Sequence, residues 1–240
     1  MSYDKTFNKN NLDHYFYELA KIYKKLGGKK MPAEIILVGG AAIIENYGFR
    51  EMTSDIDAVI QAASIMDEAI NKVGDMFDLP VGWFNSDFTK TASYSRKLAR
   101  YSKFYKTFNQ VLTIRTISAE YLIAMKLCSG RKYKNDLSDI VGILAEHQKS
   151  GDNITYERID KAVIDLYDSW ENISSESISF IKDTLIHGNY DLLYSTIKEK
   201  ELETKEMLVK FEDDYPKVLN EDNMDNILNI LNSRKSNNNH

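Results

Sequence analysis

The chain has 240 residues, of which 43% are hydrophobic and 28% charged, with a net charge of −5; that is ordinary for a globular protein and excludes a disordered one. The apolar runs all fall short of the ~18 residues of a membrane-spanning helix. The single cysteine, Cys128, cannot form an internal bridge, and the four histidines lack zinc-ligand spacing, so disulfide scaffolds and zinc sites are set aside.

Met1-Ser-Tyr-Asp-Lys-Thr-Phe7 has neither a basic nor an apolar leader region, which predicts a cytoplasmic protein. Leu12, Tyr15, Phe16, Leu19, Ile22, Tyr23 and Leu26 recur at helical spacing and predict an amphipathic helix over 7–26, stopped at Gly27-Gly28. The apolar run Ile35-Ile-Leu-Val38 is too short for a helix and ends at Gly39-Gly40, as a buried strand does on entering a turn where backbone must approach something closely. Residues 41–46 then form a short helix closed by Gly48.

Asp55-Ile56-Asp57 follows on a strand running to Ile60. Alternation along a strand puts the two carboxylates on one face and Ile56 on the other. Two acids side by side repel unless a cation lies between them, and hard oxygen ligands suit Mg²⁺; alone, a D-x-D also fits a solvent-facing strand. A helix over 63–73, ended at Gly74, and a turn over 80–85 come next. Residues 88–119 contain no acid yet carry Lys90, Arg96, Lys97, Arg100, Lys103, Lys106 and Arg115, interleaved with Tyr94, Tyr101, Phe104, Tyr105 and Phe108. Cations for phosphates and rings for bases suit a nucleoside triphosphate or single-stranded RNA, and a solvated basic face is the plainer alternative.

The β-branched alternation of 110–117 predicts a further strand. Ser118 is placed to cap a helix over 119–129 that ends at Gly130, and Asp136 and Asp139 fall near the start of the next one, where negative charge is favoured. Beyond residue 150 the chain turns acidic and reads as helices over 156–167, 174–186, 190–211 and 223–233, which divides it into 1–148 and a helical region, 149–240.

Val38-Gly39-Gly40 followed by Asp55-Ile56-Asp57, with Arg50 and Thr53 ahead of the aspartates, resembles the signature of the nucleotidyltransferase superfamily, the DNA polymerase β-like fold. Lys126, Arg131 and Asp136-x-x-Asp139 further resemble the later motif of bacterial nucleotidyltransferase-like toxins of abortive-infection and toxin–antitoxin systems. The resemblance implies an α/β (α+β) fold, a minimal nucleotidyltransferase core with a short mixed sheet flanked by helices, followed by a helical C-terminal region. It implies Mg²⁺-dependent transfer of a nucleoside monophosphate from an NTP to a hydroxyl of a tRNA, a protein or a small molecule, and an antitoxin partner if the chain is a toxin. Asp55 and Asp57 would hold one or two Mg²⁺ ions, Gly39, Gly40, Arg50, Thr53, Arg96 and Lys97 would contact nucleotide, and Lys126 with Asp136 or Asp139 would complete the catalytic set. The chain departs from the family in one respect: the strand over 110–117 offers Arg115 where many members place a third carboxylate. Asp136 or Asp139 fills that role, with Asp87 and Glu120 as outlying candidates, or the fold is a non-catalytic nucleotide- or RNA-binding module.

Overall fold

The computed structural model describes residues 5–131, 134–220 and 223–237; residues 1–4, read above for the absence of a leader, lie outside them. Helix α1 (Lys9–Lys25) starts at Asn8, whose side chain accepts the Asn10 amide while the Asn11 side chain accepts the Asn8 amide at 2.9 Å, so that two otherwise orphaned donors are satisfied. Its stripe of Leu12, Phe16, Leu19 and Tyr23 is fully buried.

The sheet that α1 covers has five strands in the order β3-β2-β1-β5-β4. Strand β1 (Ala33–Leu37) is central, antiparallel to β2 (Ile56–Gln61) and parallel to β5 (Leu112–Ile117). Its continuous apolar run reflects burial on both faces. Two edge strands complete the sheet: the short β3 (Phe84–Asn85), parallel to β2, and β4 (Ser102–Phe108), antiparallel to β5. In the three-residue β4–β5 loop, 109–111, Asn109 and Gln110 have φ of +48° and +60°, the left-handed backbone with which the Val111 amide reaches back to the Phe108 carbonyl at 3.1 Å.

Three local expectations need correction. Helix α2 (Gly39–Asn46) begins on the glycines themselves, so they form its first turn instead of a turn ahead of it. Helix α3 (Ile65–Phe77) runs through Gly74 and stops at Asp78, whose φ is +51°; Gly74 lacks a side chain because a Cβ would sit 3.2 Å from Nε1 of the buried Trp83. Ser118 precedes α4 (Ala119–Ser129) without capping it, since its hydroxyl donates to the Tyr101 carbonyl at 3.2 Å.

After α4 come α5 (Asp136–Lys149), α6 (Tyr156–Tyr167), α7 (Ser175–His187), α8 (Tyr190–Asp214) and α9 (Met224–Asn237). Helix α6 packs on α4, and α8 on α5. Ile159, Val163, Ile181 and Ile197 continue the same hydrophobic cluster that underlies the sheet. The later helices therefore brace the two helices that flank the site described next.

Candidate active site

The C-terminal end of β1 and the start of β2 meet where the Val38 amide donates to the Asp57 carbonyl at 3.0 Å. Asp55 lies in the bend before β2, Asp57 is its second residue, and the fully buried Ile56 between them anchors the stretch, its amide donating to the Trp83 carbonyl at 2.8 Å. Both carboxylates line one cavity of about 700 Å³. Gly39 lines it too: its φ is +55°, and a Cβ there would meet Asp57 Oδ2 at 3.3 Å, so only glycine keeps this approach free of strain. Burial pushes the Asp57 carboxyl up and the Asp55 charge adds to that, against the opposing pull of Lys134 and Arg131. Two hard carboxylates that repel in a confined space are a donor set suited to Mg²⁺.

Gly40 faces away from the cavity, toward Thr53 and Arg50. A Cβ on it would fall 2.5 Å from Thr53 Oγ1 and 2.8 Å from Arg50 Nη2, so these two residues support the first turn of α2 from behind and do not line the cavity. Thr53 is held there by a two-way backbone bridge to Phe7. Arg50 donates through Nη1 to Asp139 Oδ2 at 2.5 Å and through Nε to the Met52 carbonyl.

Lys126 and Asp136 reach the cavity wall, whereas Asp139 stands behind it. Lys126 Nζ sits 2.9 Å from Asp136 Oδ1 and 2.7 Å from Asp139 Oδ2, and Arg131 Nε adds a contact to Asp136 Oδ2 at 3.1 Å. Lys126, Asp136 and Asp139 are only 7%, 1% and 2% exposed, so the network is desolvated. Burial disfavours charge on Lys126, yet Asp136 and Asp139 outweigh it and raise its pKa. Burial likewise opposes the Asp136 carboxylate, and Lys126 with Arg131 overcomes it, holding that carboxyl well below the usual range. The network ties α4, the start of α5 and the loop carrying Arg50 into one unit.

The remaining expected residues lie elsewhere. Arg96 is exposed, and Lys97 pairs with Asp168 at 2.6 Å; neither lines the cavity. Arg115 is turned to Ser102, donating to its hydroxyl at 2.6 Å and its carbonyl at 2.8 Å. Of the outlying carboxylates, Asp87 lines the cavity, paired with Lys90 at 2.7 Å, while Glu120 lies near Arg158 and away from it. Asn85 and Lys134 are cavity residues that sequence reasoning did not assign to the site, and of the basic segment 88–119 Lys90 is the cation that lines it. Asn85 stands opposite Asp57 across the β2–β3 pairing, a relation no local motif carries. Cys128 lines the cavity as well, and burial pushes its thiol up, which suits packing more than nucleophilic attack. Among the described residues, no group of three or more His, Cys, Asp or Glu side chains is disposed to hold a metal, so the acidic pair stands without a third ligating carboxylate.

A glycine turn opening a helix at the end of the central strand, facing an Asp-x-Asp on its antiparallel neighbour within a mixed sheet flanked by helices, defines the nucleotidyltransferase superfamily. The chain belongs to a family of that class described as a nucleotidyltransferase of unknown function (DUF6036), whose profile matches residues 14–178, from within α1 to within α7. No curated protein and no solved structure matches the chain. No helix among the described residues is long and apolar enough to cross a membrane.

Proposed function

We propose that the cavity binds a nucleoside triphosphate with Mg²⁺ and transfers its nucleoside monophosphate to an acceptor hydroxyl. A bond forms between the acceptor oxygen and the α-phosphorus as the hydroxyl gives up its proton to solvent, and the bond from that phosphorus to the bridging oxygen breaks, its electron pair leaving with pyrophosphate. The observation that carries this reading is the apposition of Gly39 and Asp57, with Asp55 beside them, in one cavity. Asp55 and Asp57 would hold the ion, which when bound supplies Lewis-acid stabilisation of charge at the reacting phosphate. The first turn of α2 carries no side-chain cap, so its amides are available to phosphate oxygens at the positive end of the helix. Lys134 adds positive charge to the cavity wall, and Lys90, Lys126 and Arg131 stand there already paired with Asp87 and Asp136.

The acceptor belongs to an RNA such as tRNA, a protein or a small molecule, and a toxin with an antitoxin partner is the biological setting that the later motif suggests. Two observations favour a second reading, a non-catalytic nucleotide- or RNA-binding module: Lys126 is already neutralised by two carboxylates, and among the described residues no third ligating carboxylate joins Asp55 and Asp57. Thermal unfolding with each NTP, with and without Mg²⁺, tests the site. Nucleotide stabilisation that requires Mg²⁺ and is lost in Asp57→Asn is the result expected; no stabilisation by any nucleotide would overturn both readings of the cavity as a nucleotide site.

A further inference from the structure

Helix α5 carries Asp136 and Asp139 in its first turn, yet its own N-cap residue, Asn135, makes no side-chain capping bond. The missing acceptor comes from α8. Glu201 Oε1 accepts the amide of Leu137 at 3.2 Å and that of Ser138 at 3.1 Å. Glu201 is only 7% exposed, and its other oxygen is buried with no hydrogen-bond partner, so the carboxyl group is desolvated chiefly to serve these two amides. Burying a carboxylate this way is costly, and the energy must be returned by the groups it contacts. A second contact from the same helix acts on the other half of the network. The Tyr194 hydroxyl donates to the Phe49 carbonyl at 3.3 Å, and its ring meets Phe49 edge-on, just ahead of Arg50. Phe49 in turn lies over Gly142 of α5, where any Cβ would collide with its ring.

We infer that Glu201 is a positioning residue for the nucleotidyltransferase site: it fixes the first turn of α5 so that Asp136 and Asp139 hold Lys126 at the cavity wall and Arg50 behind it. It lies beyond residues 14–178, so the helical C-terminal region supplies part of the site's support rather than being an appendage. Charge balance agrees with the geometry. Three carboxylates, Asp136, Asp139 and Glu201, gather at this helix start, and three cations, Lys126, Arg131 and Arg50, accompany them. Glu201 accepts the two amides and, among the described residues, forms no salt bridge, which makes its task acceptance of hydrogen bonds more than neutralisation. An uncharged acceptor of the same shape should therefore do.

The inference rests on the proposed function for its consequence in catalysis, and its test separates the two. Glu201→Met keeps volume and removes the acceptor; Glu201→Gln keeps an acceptor oxygen. Leu208→Ala, a cavity made elsewhere on α8, is the control for a general loss of stability. Two quantities are measured: amide hydrogen exchange at residues 137 and 138, which needs no activity, and the kcat and KM for transfer. Glu201→Met is expected to speed exchange at both amides by about tenfold, the scale of losing a helix cap, and to lower kcat by about tenfold with KM for nucleotide little changed. Glu201→Gln should restore both to within about threefold of the wild type. Unchanged exchange in Glu201→Met, or the same loss of kcat in Leu208→Ala at matched stability, would overturn the inference. If the wild-type chain transfers no nucleotide, the proposed function fails, and exchange at 137 and 138 still decides whether Glu201 seats α5.

Discussion

Replacing Lys126 with methionine removes the cation at the centre of the buried network while nearly keeping its volume. Asp136 and Asp139 would be left 1% and 2% exposed, with Arg131 and Arg50 the cations that hold them among the described residues. Removing one partner of a buried ion pair costs about 3–5 kcal/mol, because the other charge stays desolvated. The two arginines retain a contact with each carboxylate, which places the expectation near the lower end, about 3 kcal/mol, or on the order of 100-fold in the folding equilibrium. In urea this moves the unfolding midpoint down by about 1 M or more. The pH dependence follows from the depressed pKa of Asp136. In the wild type its contribution is complete above the unfolded-state value of about 3.9 and is lost as pH falls through the lower folded-state value. Without Lys126 the depression shrinks, so the penalty is largest near pH 7 and diminishes below about pH 4. Urea titrations of both proteins at pH 7 and about pH 3, followed by circular dichroism, measure it. Midpoints that agree within about 0.2 M at pH 7, or a penalty that grows as pH falls, would show that Lys126 does not stabilise the buried carboxylates.

Gly40→Ala should destabilise by about 1–3 kcal/mol, since its Cβ would press on Thr53 and Arg50, and a melting temperature within 1 °C of wild type would show that the contact yields freely. Glu45 is 7% exposed with neither oxygen hydrogen-bonded, and Tyr105, the hydroxyl that could hold its charge, donates to Asp13 Oδ1 at 3.0 Å. Burial raises its pKa, with Tyr105 opposing, so its contribution to stability is present below the unfolded-state value and is lost as pH rises through the folded one. Glu45→Gln should therefore gain stability relative to wild type at pH 8, by about 1 kcal/mol, and lose that advantage near pH 4; thermal melts at both pH values check the sign. Neutralising Arg96, Lys97 and Arg100 together should weaken single-stranded RNA binding and flatten its salt dependence. With Lys97 held by Asp168, the slope of log K against log salt should change by about 1.4, the share of two phosphate contacts, and an unchanged slope would mark the stretch as a solvated face.

What the sequence made legible was what lies close along the chain. Gly39-Gly40 and Asp55-Ile56-Asp57 are each a few residues long and only one short helix apart, so their meeting at adjacent strand ends could be read directly. Helices α6 and α7 were equally plain, because apolar periodicity coincides with capping residues such as Thr155 and Ser174 and stops at Asp168 and Gly188, both in left-handed conformation. Strand β4 was not legible. It is an edge strand with a bulge between Phe104 and Lys106, and most of its residues face solvent, so the alternation that betrays a half-buried strand is absent. Lys126 and Asp136 could be placed near the cavity, but not the sharing of Lys126 between two carboxylates, which depends on how α4 and α5 cross. Gly74 reads as a helix stop until Trp83 is packed beside it, and Glu201 reads as one more acid on an exposed helix until α8 folds back over the start of α5.

Transfer of an α-phosphate label decides whether this cavity carries out nucleotidyl transfer. The protein is incubated with each α-labelled nucleoside triphosphate, Mg²⁺ and either total RNA or cell lysate, beside parallel reactions with γ-labelled nucleotide. Label from at least one α-labelled nucleotide should appear in an acceptor and be absent with γ-label, because pyrophosphate departs. Asp57→Asn should reduce it by on the order of 100-fold or more, the scale of removing a principal electrostatic group from a catalytic site. No acceptor labelled by any nucleotide, or equal labelling by Asp57→Asn and wild type, would contradict the assignment of this cavity to nucleotidyl transfer.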